Sequence, residues 1–143
     1  MAVTAKAYSH MPEGALKELL NLSSDTLKCM LCTSSYTPDQ DAHDFKDDVD
    51  NEVSGTGYTA GGVALTSVAL TISGKVTKLD AADAEWADST ITARYAVLYD
   101  DTPAGDAAKP LMLYVDFGED KASEDGTFKV KWHTDGVLTV TVA

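Results

Sequence analysis

GTFKVKWHTDGVLTVTVA, residues 126–143, contains two segments in which apolar and polar side chains alternate, separated by a Thr-Asp-Gly turn. Alternation with a period of two is typical of strands that bury one face. Phe128, Val130 and Trp132 are predicted to point into a core, whereas the lysines between them face water and guard an edge strand. The stretch therefore predicts a β-hairpin whose apolar face is occupied by packing.

The same signature, short strand-like runs separated by Gly, Pro and Asp turns, covers most of the remaining chain. An earlier strand is predicted within TLKCMLC, residues 26–32. Further strands are predicted at Glu52–Ser54, Val63–Ser73, Lys75–Leu79, Thr90–Tyr99, Leu111–Phe117, Thr127–His133 and Val137–Val142. About eight short strands at this spacing predict a mainly β protein, an antiparallel β-sandwich or barrel-like sandwich.

Two of these segments allow their side chains to be assigned to faces. In TLKCMLC one face is predicted to carry Leu27, Cys29 and Leu31, and the other Lys28, Met30 and Cys32. In LMLYVDFG the core face is predicted to carry Leu111, Leu113, Val115 and Phe117, and the other Met112, Tyr114 and Asp116.

The N-terminal part of the chain differs from the rest. A short helix is predicted from Pro12, with Leu16, Leu19 and Leu20 packed on the body of the fold. Residues 1–10 lack a periodic pattern and allow either a flexible arm that orders on a neighbour or a frayed terminus. The expected organisation is therefore an arm, residues 1–10, and one β-sandwich domain, residues 11–143.

Charge and composition narrow the class of partner. The chain has 143 residues and a formal net charge of −12, which disfavours binding to nucleic acid or an anionic membrane. No signal-like or bilayer-spanning stretch is present in the sequence, so synthesis and retention in a cytoplasm until assembly or lysis are expected. Two cysteines, Cys29 and Cys32, agree with a reducing compartment.

Three short motifs have the sequence of known chemical sites, but the segments around them do not fit those sites. GTGYTA, residues 55–60, has dinucleotide-loop spacing, yet a β-like segment follows it instead of a helix. DFG, residues 116–118, is interpreted as a strand end and a turn. The CMLC pair would place its sulfurs on opposite sides of a strand, which favours two separate thiols over a metal or redox pair.

The acidic run DFKDDVDNE, residues 44–52, is predicted to be a loop with one helical turn near residues 45–49. Its oxygen ligands make a candidate calcium site of Asp47, Asp48, Asp50 and Glu52. Against this, Val53 occupies the position where a twelve-residue calcium loop beginning at Asp48 needs glycine. A solvated acidic loop is the simpler interpretation.

No residues form a recognisable catalytic motif. The three histidines lie outside any nucleophile motif, and carboxylate pairs arise by chance in a chain with 23 acids. We therefore expect no enzymatic activity, no catalytic residues and no cofactor. Tyr8, Tyr36 and Tyr58 could stack on sugars, which leaves a small carbohydrate-binding module or hydrolase as an alternative class.

Several phrases together are similar to a family of small structural proteins of tailed bacteriophages. They are LCTSSYTPDQDAHDF (31–45), NEVSGTGYTAGG (51–62), STITARYAVLYDD (89–101), YVDFGEDKASEDGTFKVKW (114–132) and DGVLTVTVA (135–143). The likeness extends from about Leu16 to Ala143 and is weaker over the preceding residues.

The resemblance implies a virion component. The expected protein is a minor capsid or head-decoration protein on the outside of the major capsid lattice, and a tail or head-to-tail component is the alternative. The partner would be the major capsid protein or another virion protein, and a homotrimer is allowed because decoration proteins often occupy local three-fold positions. The candidate partner-binding residues are Val3, Lys6, Tyr8, Tyr36 and Tyr58.

Overall fold

The computed structural model describes residues 2–142 and contains eight strands and one short α-helix. In chain order the elements are β1 (Thr4–Ala7), α1 (Met11–Leu16), β2 (Leu27–Cys32), β3 (Val63–Ala64), β4 (Ala69–Ser73), β5 (Val76–Asp80), β6 (Ala84–Asp100), β7 (Leu111–Val130) and β8 (Leu138–Thr141). Single 3₁₀ turns occur at Lys46–Asp48 and Asp106–Ala108. The mainly β class with about eight strands and a short helix is confirmed, as is the helical turn in the acidic loop.

The strands form two antiparallel sheets in a sandwich-like arrangement. The larger sheet has the order β1-β7-β6-β2-β3, and the smaller sheet has the order β4-β5-β8. The long strands β6 and β7 pair along most of their length and form the centre of the larger sheet. Register shifts along this pair mark bulges, which increase strand twist and let long strands bend.

The main core lies against one face of the larger sheet and includes side chains from both sheets and from the helical segment. Leu27, Cys29 and Leu31 of β2 pack there as predicted, together with Leu79 of the smaller sheet. Met30 and Cys32 belong to a second cluster with Tyr8, Tyr36, Val97, Tyr99 and Leu111. Both faces of β2 are therefore buried.

The assignment of faces in β7 is confirmed for Leu113, Val115 and Phe117, which are buried in the main core. It is wrong at the start of the strand, where Met112 is in the main core and Leu111 is in the second cluster. The cause is a bulge: Leu98 pairs with Leu113, but the next residue of β6 pairs with Leu111. One extra residue in β7 reverses the alternation.

The hairpin predicted at residues 126–143 does not form. Phe128 and Val130 are buried as predicted, but β7 ends at Val130, and β8 pairs with β5 of the smaller sheet. A single bridge between His133 and Gly136 is all that pairs the two segments within residues 2–142. Alternation specifies which face of a strand is buried but not which strand lies beside it.

Four other strand predictions have different bounds in the structure. The segment 63–73 is divided between the two sheets, because Ser67 has a positive φ of 53° and breaks the run. Residues 111–117 and 127–130 belong to one continuous strand, which ends before residue 133, so DFG lies within β7 and is not a turn. Glu52 makes only an isolated bridge to Cys32.

The helix packs differently from the prediction. Met11 and Leu20 are buried, but Leu16 is 87% exposed and Leu19 is 50% exposed. The helix ends at Leu16, and Glu18 has a positive φ of 59°, so the later leucines do not continue the helical spacing. Two of the three leucines expected in the core are therefore on the surface.

The N-terminal residues also differ from the expected flexible arm. β1 pairs with β7, from Thr4 opposite Asp116 to Ala7 opposite Leu113, and the Tyr8 side chain is fully buried. The Tyr8 N–H donates to the Met112 carbonyl. Met1, which belongs to the same predicted arm, lies outside the described residues.

Candidate docking face

One face of the smaller sheet carries an apolar row that crosses all three strands. Leu70 of β4 pairs with Leu79 of β5, which pairs with Leu138 of β8. Two residues away on the same three strands, Ile72 pairs with Thr77, which pairs with Val140. Since directly paired residues project to the same side of an antiparallel sheet, these six side chains form one surface.

Only part of this surface is covered by the rest of the molecule. Leu79 is 1% exposed and belongs to the main core, whereas Leu70 is 46%, Val140 56% and Ile72 75% exposed. The helix α1 lies beside the row and presents Leu16 to solvent. We call the four exposed side chains Leu16, Leu70, Ile72 and Val140 the docking face.

A groove of about 380 Å³ lies between α1 and the smaller sheet. It is lined by Met11, Pro12, Ala15, Leu16, Leu22, Leu70, Thr77, Leu79, Leu138 and Val140. None of these side chains is charged, and threonine is the one polar type among them. A concave surface of this kind favours an apolar ridge or loop of another molecule.

The sequence around the docking face is unusual for this chain. Residues 53–74 contain no charged side chain, and neither do residues 136–142, although 24% of the whole chain is charged. Exposed apolar side chains gathered in one place mark interaction surfaces in soluble proteins. Removing each leucine, isoleucine or valine fully from water contributes up to about 1.5–3 kcal/mol, less for side chains that are already half-covered.

Two of the five predicted partner-binding residues are exposed. They lie in or next to β1, an edge strand of the larger sheet. Val3 and Lys6 are accessible, and Val3 borders a second groove of about 370 Å³ whose lining includes Lys121, Lys129 and Trp132. Both lysines already have carboxylate neighbours, Glu119 and Glu85. Val3 and Lys6 therefore remain candidates, but on a different surface from the docking face.

Tyr8 and Tyr36 are buried, so neither offers its ring to a partner or a sugar. The Tyr8 hydroxyl lies 2.9 Å from the Tyr36 hydroxyl, which lies 3.0 Å from Nδ1 of His43. Burial raises the pKa of Tyr8 and of Tyr36, so both hydroxyls stay protonated. This chain of hydrogen bonds attaches the N-terminal segment and the acidic loop to the larger sheet.

Tyr58 is half-buried and has a structural role. Its hydroxyl donates to Oε1 of Glu52 at 2.7 Å and accepts from the Leu31 N–H at 3.0 Å. The ring stacks on Trp86, with centroids 6.0 Å apart. Because the tyrosines proposed to stack on sugars are buried or engaged in this way, the carbohydrate-binding alternative loses the residues it was based on.

The candidate calcium site does not assemble. Oδ2 of Asp48 accepts from the N–H groups of Asp44 and Phe45, and Oε1 of Glu52 accepts from the Gly61 N–H. Within residues 2–142 no three His, Cys, Asp or Glu side chains converge in a way that could hold a metal ion. Neighbours in sequence are separated here because their carboxylates satisfy backbone donors of the loop.

The two thiols are buried in different clusters, Cys29 in the main core and Cys32 in the second. Burial raises the pKa of Cys29 and raises that of Cys32 to about 12, which keeps both thiols protonated. The interpretation of CMLC as two separate thiols agrees with this placement. GTGYTA lies in a loop between an isolated bridge and β3, with no helix after it.

Two carboxylates at the strands of the larger sheet, Asp116 and Asp101, are held in ion pairs. Asp116 accepts from Nε of Arg94 at 2.6 Å, and that hydrogen bond lowers the pKa of Asp116. Asp101 lies 2.9 Å from Nζ of Lys28 and 2.7 Å from Nζ of Lys109. Asp100 is buried, and burial raises its pKa.

No protein-family model, curated protein or solved structure matches this chain at a significant level. Separately, none of the helices within residues 2–142 has both the length and the hydrophobicity needed to cross a membrane.

The docking face was not predicted from the sequence. The predicted strand Val63–Ser73 includes Leu70 and Ile72, but periodicity alone does not distinguish an exposed apolar face from a buried one. The absence of charge over residues 53–74 is the signal that could have indicated it, because a solvated face in this acidic chain would be expected to carry charge.

Proposed function

We propose that the protein is a structural component of a tailed-bacteriophage particle, a minor capsid or decoration protein that binds the outside of the major capsid lattice and stabilises it. It would be made in the host bacterial cytoplasm and would act without catalysis or a cofactor. The observation that carries the proposal is the docking face, an exposed apolar surface on a fold whose main core is packed against the larger sheet.

The energetics suit a protein that binds by shape. The docking face supplies apolar area in a central patch, which is the part of an interface that contributes most affinity. The net charge of −12 keeps the rest of the surface hydrated and directs the docking face toward a neutral or basic site. The negative net charge therefore orients the subunit, and burial of the docking face keeps it bound to the capsid.

Repetition supports the same conclusion. A capsid lattice presents one site many times, so a subunit that bridges neighbouring capsid proteins stabilises the shell even when each contact is modest. The phrases that resemble phage structural proteins include residues 135–143, which contain Val140 of the docking face. The proposed function thus uses exposed side chains that the core does not need.

The proposal is tested by co-sedimentation with purified phage capsids made without this protein. The wild-type chain should bind at a fixed ratio to the major capsid protein, whereas the double variant Leu16→Glu, Val140→Glu should bind at least about tenfold more weakly, equivalent to about 1.4 kcal/mol. Both side chains are exposed, so the variant should unfold at the same urea concentration as wild type.

The comparison variant is Val3→Glu, which adds a glutamate at an exposed valine that borders the second groove and so tests the alternative surface. Normal capsid binding by this comparison variant and weak binding by the double variant would support the proposal. Equal binding by all three proteins, or binding of the wild-type chain to isolated tails but not to capsids, would overturn it. The second result would assign the protein to the tail or the head-to-tail joint.

A further inference from the structure

The outer edge of β4 is an unprotected strand edge. β4 is the first strand of the order β4-β5-β8, and within residues 2–142 no strand pairs with its other side. All five of its residues are exposed, and its sequence ALTIS contains neither a charged side chain nor a proline. Natural sheets normally guard such an edge with lysine, proline or a bulge, because free N–H and C=O groups pair readily with another strand.

The five-residue strand is complementary to itself. If two copies of β4 align antiparallel about a two-fold axis through Thr71, then Ala69 lies opposite Ser73 of the other copy, and Leu70 lies opposite Ile72. Thr71 then faces its own symmetry mate, and threonine pairs are favourable across antiparallel strands. The apolar pair lies on the side of the docking face, so apolar side chains meet apolar side chains.

Charge complements the same alignment. The turn end of the β4–β5 hairpin carries Lys75, which is exposed, and the open end carries Asp80, paired with Ala69. The antiparallel alignment brings the turn end of one copy beside the open end of the other. Asp80 of one copy and Lys75 of the other then have opposite signs at the same end of the interface, but they are more than two strand spacings, about 10 Å, apart, so physiological salt leaves only a weak attraction.

We infer that this protein forms a two-fold dimer in which β4 pairs with β4 of a second copy, so that the two smaller sheets become one six-stranded sheet. The docking faces of the two copies then lie side by side on the same surface. This inference goes beyond the proposed function and does not depend on it, since it concerns the free protein in solution.

The test is the oligomeric state of the purified chain by sedimentation velocity over a range of concentrations. The wild-type chain should sediment as a dimer that dissociates on dilution. Thr71→Lys places two like charges opposite each other at the axis and should weaken dimerisation at least about fivefold. Because this change also lowers the net negative charge, weaker association cannot come from overall repulsion.

Thr139→Lys is the matched control. Thr71, Lys78 and Thr139 pair in one row across the sheet, so Thr139 projects to the same face from the opposite edge strand. This variant should dimerise like wild type. A mixture of Thr71→Lys with Thr71→Glu should form a mixed dimer, detectable by native mass spectrometry, because opposite charges then meet at the axis.

Three results would overturn the inference. They are a monomeric wild-type chain at 100 μM (roughly the upper end of weak interfaces), a trimer, and equal loss of association in Thr71→Lys and Thr139→Lys. The last result would indicate that β4 of one copy pairs with β8 of the next. Capsid co-sedimentation is a separate measurement, so failure here leaves the proposed function standing, and the reverse also holds.

Discussion

The two sheets of this protein differ in how they are covered. The larger sheet is buried on both faces around β2 and the adjoining parts of β6 and β7, by the main core on one side and by the cluster of Tyr8, Tyr36 and Tyr99 on the other. The smaller sheet is buried around Leu79 and partly at Leu138, whereas Leu70, Ile72 and Val140 face solvent. The same alternating pattern is used for stability in one sheet and remains available for binding in the other.

This difference explains why the molecule can present an apolar surface without losing its fold. The larger sheet contains the long β6–β7 pair and most of the buried side chains, so it contributes most of the apolar burial that stabilises the domain. The smaller sheet is attached through Leu79, Leu138 and the segment that follows Trp132. Substitutions should therefore be costly in the larger sheet and at this junction, and mild elsewhere in the smaller sheet.

The largest expected effect comes from a matched pair of glycines. Gly62 has a φ of +78°, and a Cβ there would lie 1.9 Å from the Cys29 carbonyl oxygen of β2, whereas Gly74 has a φ of +60° and open space around it. Gly62→Ala should lower the free energy of unfolding by about 4 kcal/mol or more. Gly74→Ala should cost only the backbone strain, about 1–2 kcal/mol. Urea unfolding measures both, and equal costs would contradict the account.

The next effect compares two leucines that face each other on neighbouring strands, Leu70 and Leu79. Leu79→Ala removes a fully buried side chain and should cost about 3 kcal/mol. Leu70→Ala should cost about 1 kcal/mol or less, because this side chain already contacts water. If Leu70→Ala were as destabilising as Leu79→Ala, the docking face would be part of the core.

A smaller effect concerns the tyrosines of the larger sheet. Tyr36→Phe removes the hydroxyl that links Tyr8 to His43 and should lower the free energy of unfolding by about 1–2 kcal/mol, because it leaves buried polar groups without a partner. Tyr114→Phe is the control, since its ring also packs on Tyr8 but its hydroxyl makes no hydrogen bond within residues 2–142. Equal midpoints for the two variants in urea would show that the hydroxyl chain does not stabilise the fold.

The smallest effect depends on pH and has opposite signs at two adjacent residues. Burial raises the pKa of Asp100 in the folded state above its unfolded value, about 3.9. The Asp100 carboxyl therefore contributes fully to stability below the unfolded pKa, and this contribution is lost as pH rises through the folded pKa. Asp101 shows the opposite shift. Burial acts to raise its pKa, but hydrogen bonds from Lys109 and Lys28 lower the pKa overall, so the contribution of Asp101 to stability is lost as pH falls.

The free energy of unfolding of Asp100→Asn, relative to wild type, should therefore be higher at pH 7 than at pH 3. For Asp101→Asn it should be lower at pH 7 than at pH 3. Differences below about 1 kcal/mol are expected for each. Unfolding midpoints of the three proteins at both pH values provide the measurement. The same pH trend in both variants would show that the two carboxylates do not differ in environment as described.

The sequence was sufficient to predict the class of fold and much of the core. Periodicity placed Leu27, Cys29 and Leu31 on one face of β2, and Phe128 and Val130 in the core, because successive side chains of a strand point to opposite faces. The β-bulge at Met112 reversed the pattern locally, and an insertion of one residue leaves no clear trace in composition. Core membership was therefore predicted well in regular strands and poorly at irregular ones.

Which strands pair, and which apolar faces stay open, could not be predicted in the same way. Alternation at residues 137–142 gives no information on whether that strand joins β7 or β5, since both pairings bury one face. Likewise Leu16 and Leu20 are the same type of residue, yet one is exposed and one is buried, because the helix ends between them. Both outcomes depend on tertiary contacts that no local window of sequence contains.

The account rests most directly on the claim that the docking face is the binding surface. Hydrogen–deuterium exchange of the chain, free and bound to capsids, tests this claim at the level of segments. Exchange should slow on binding in residues 11–16 and 138–142, which border the groove, and should stay unchanged in residues 91–98 at the centre of the larger sheet. Slowing confined to residues 2–7 and 121–132, around the second groove, with no change beside the docking face, would contradict it.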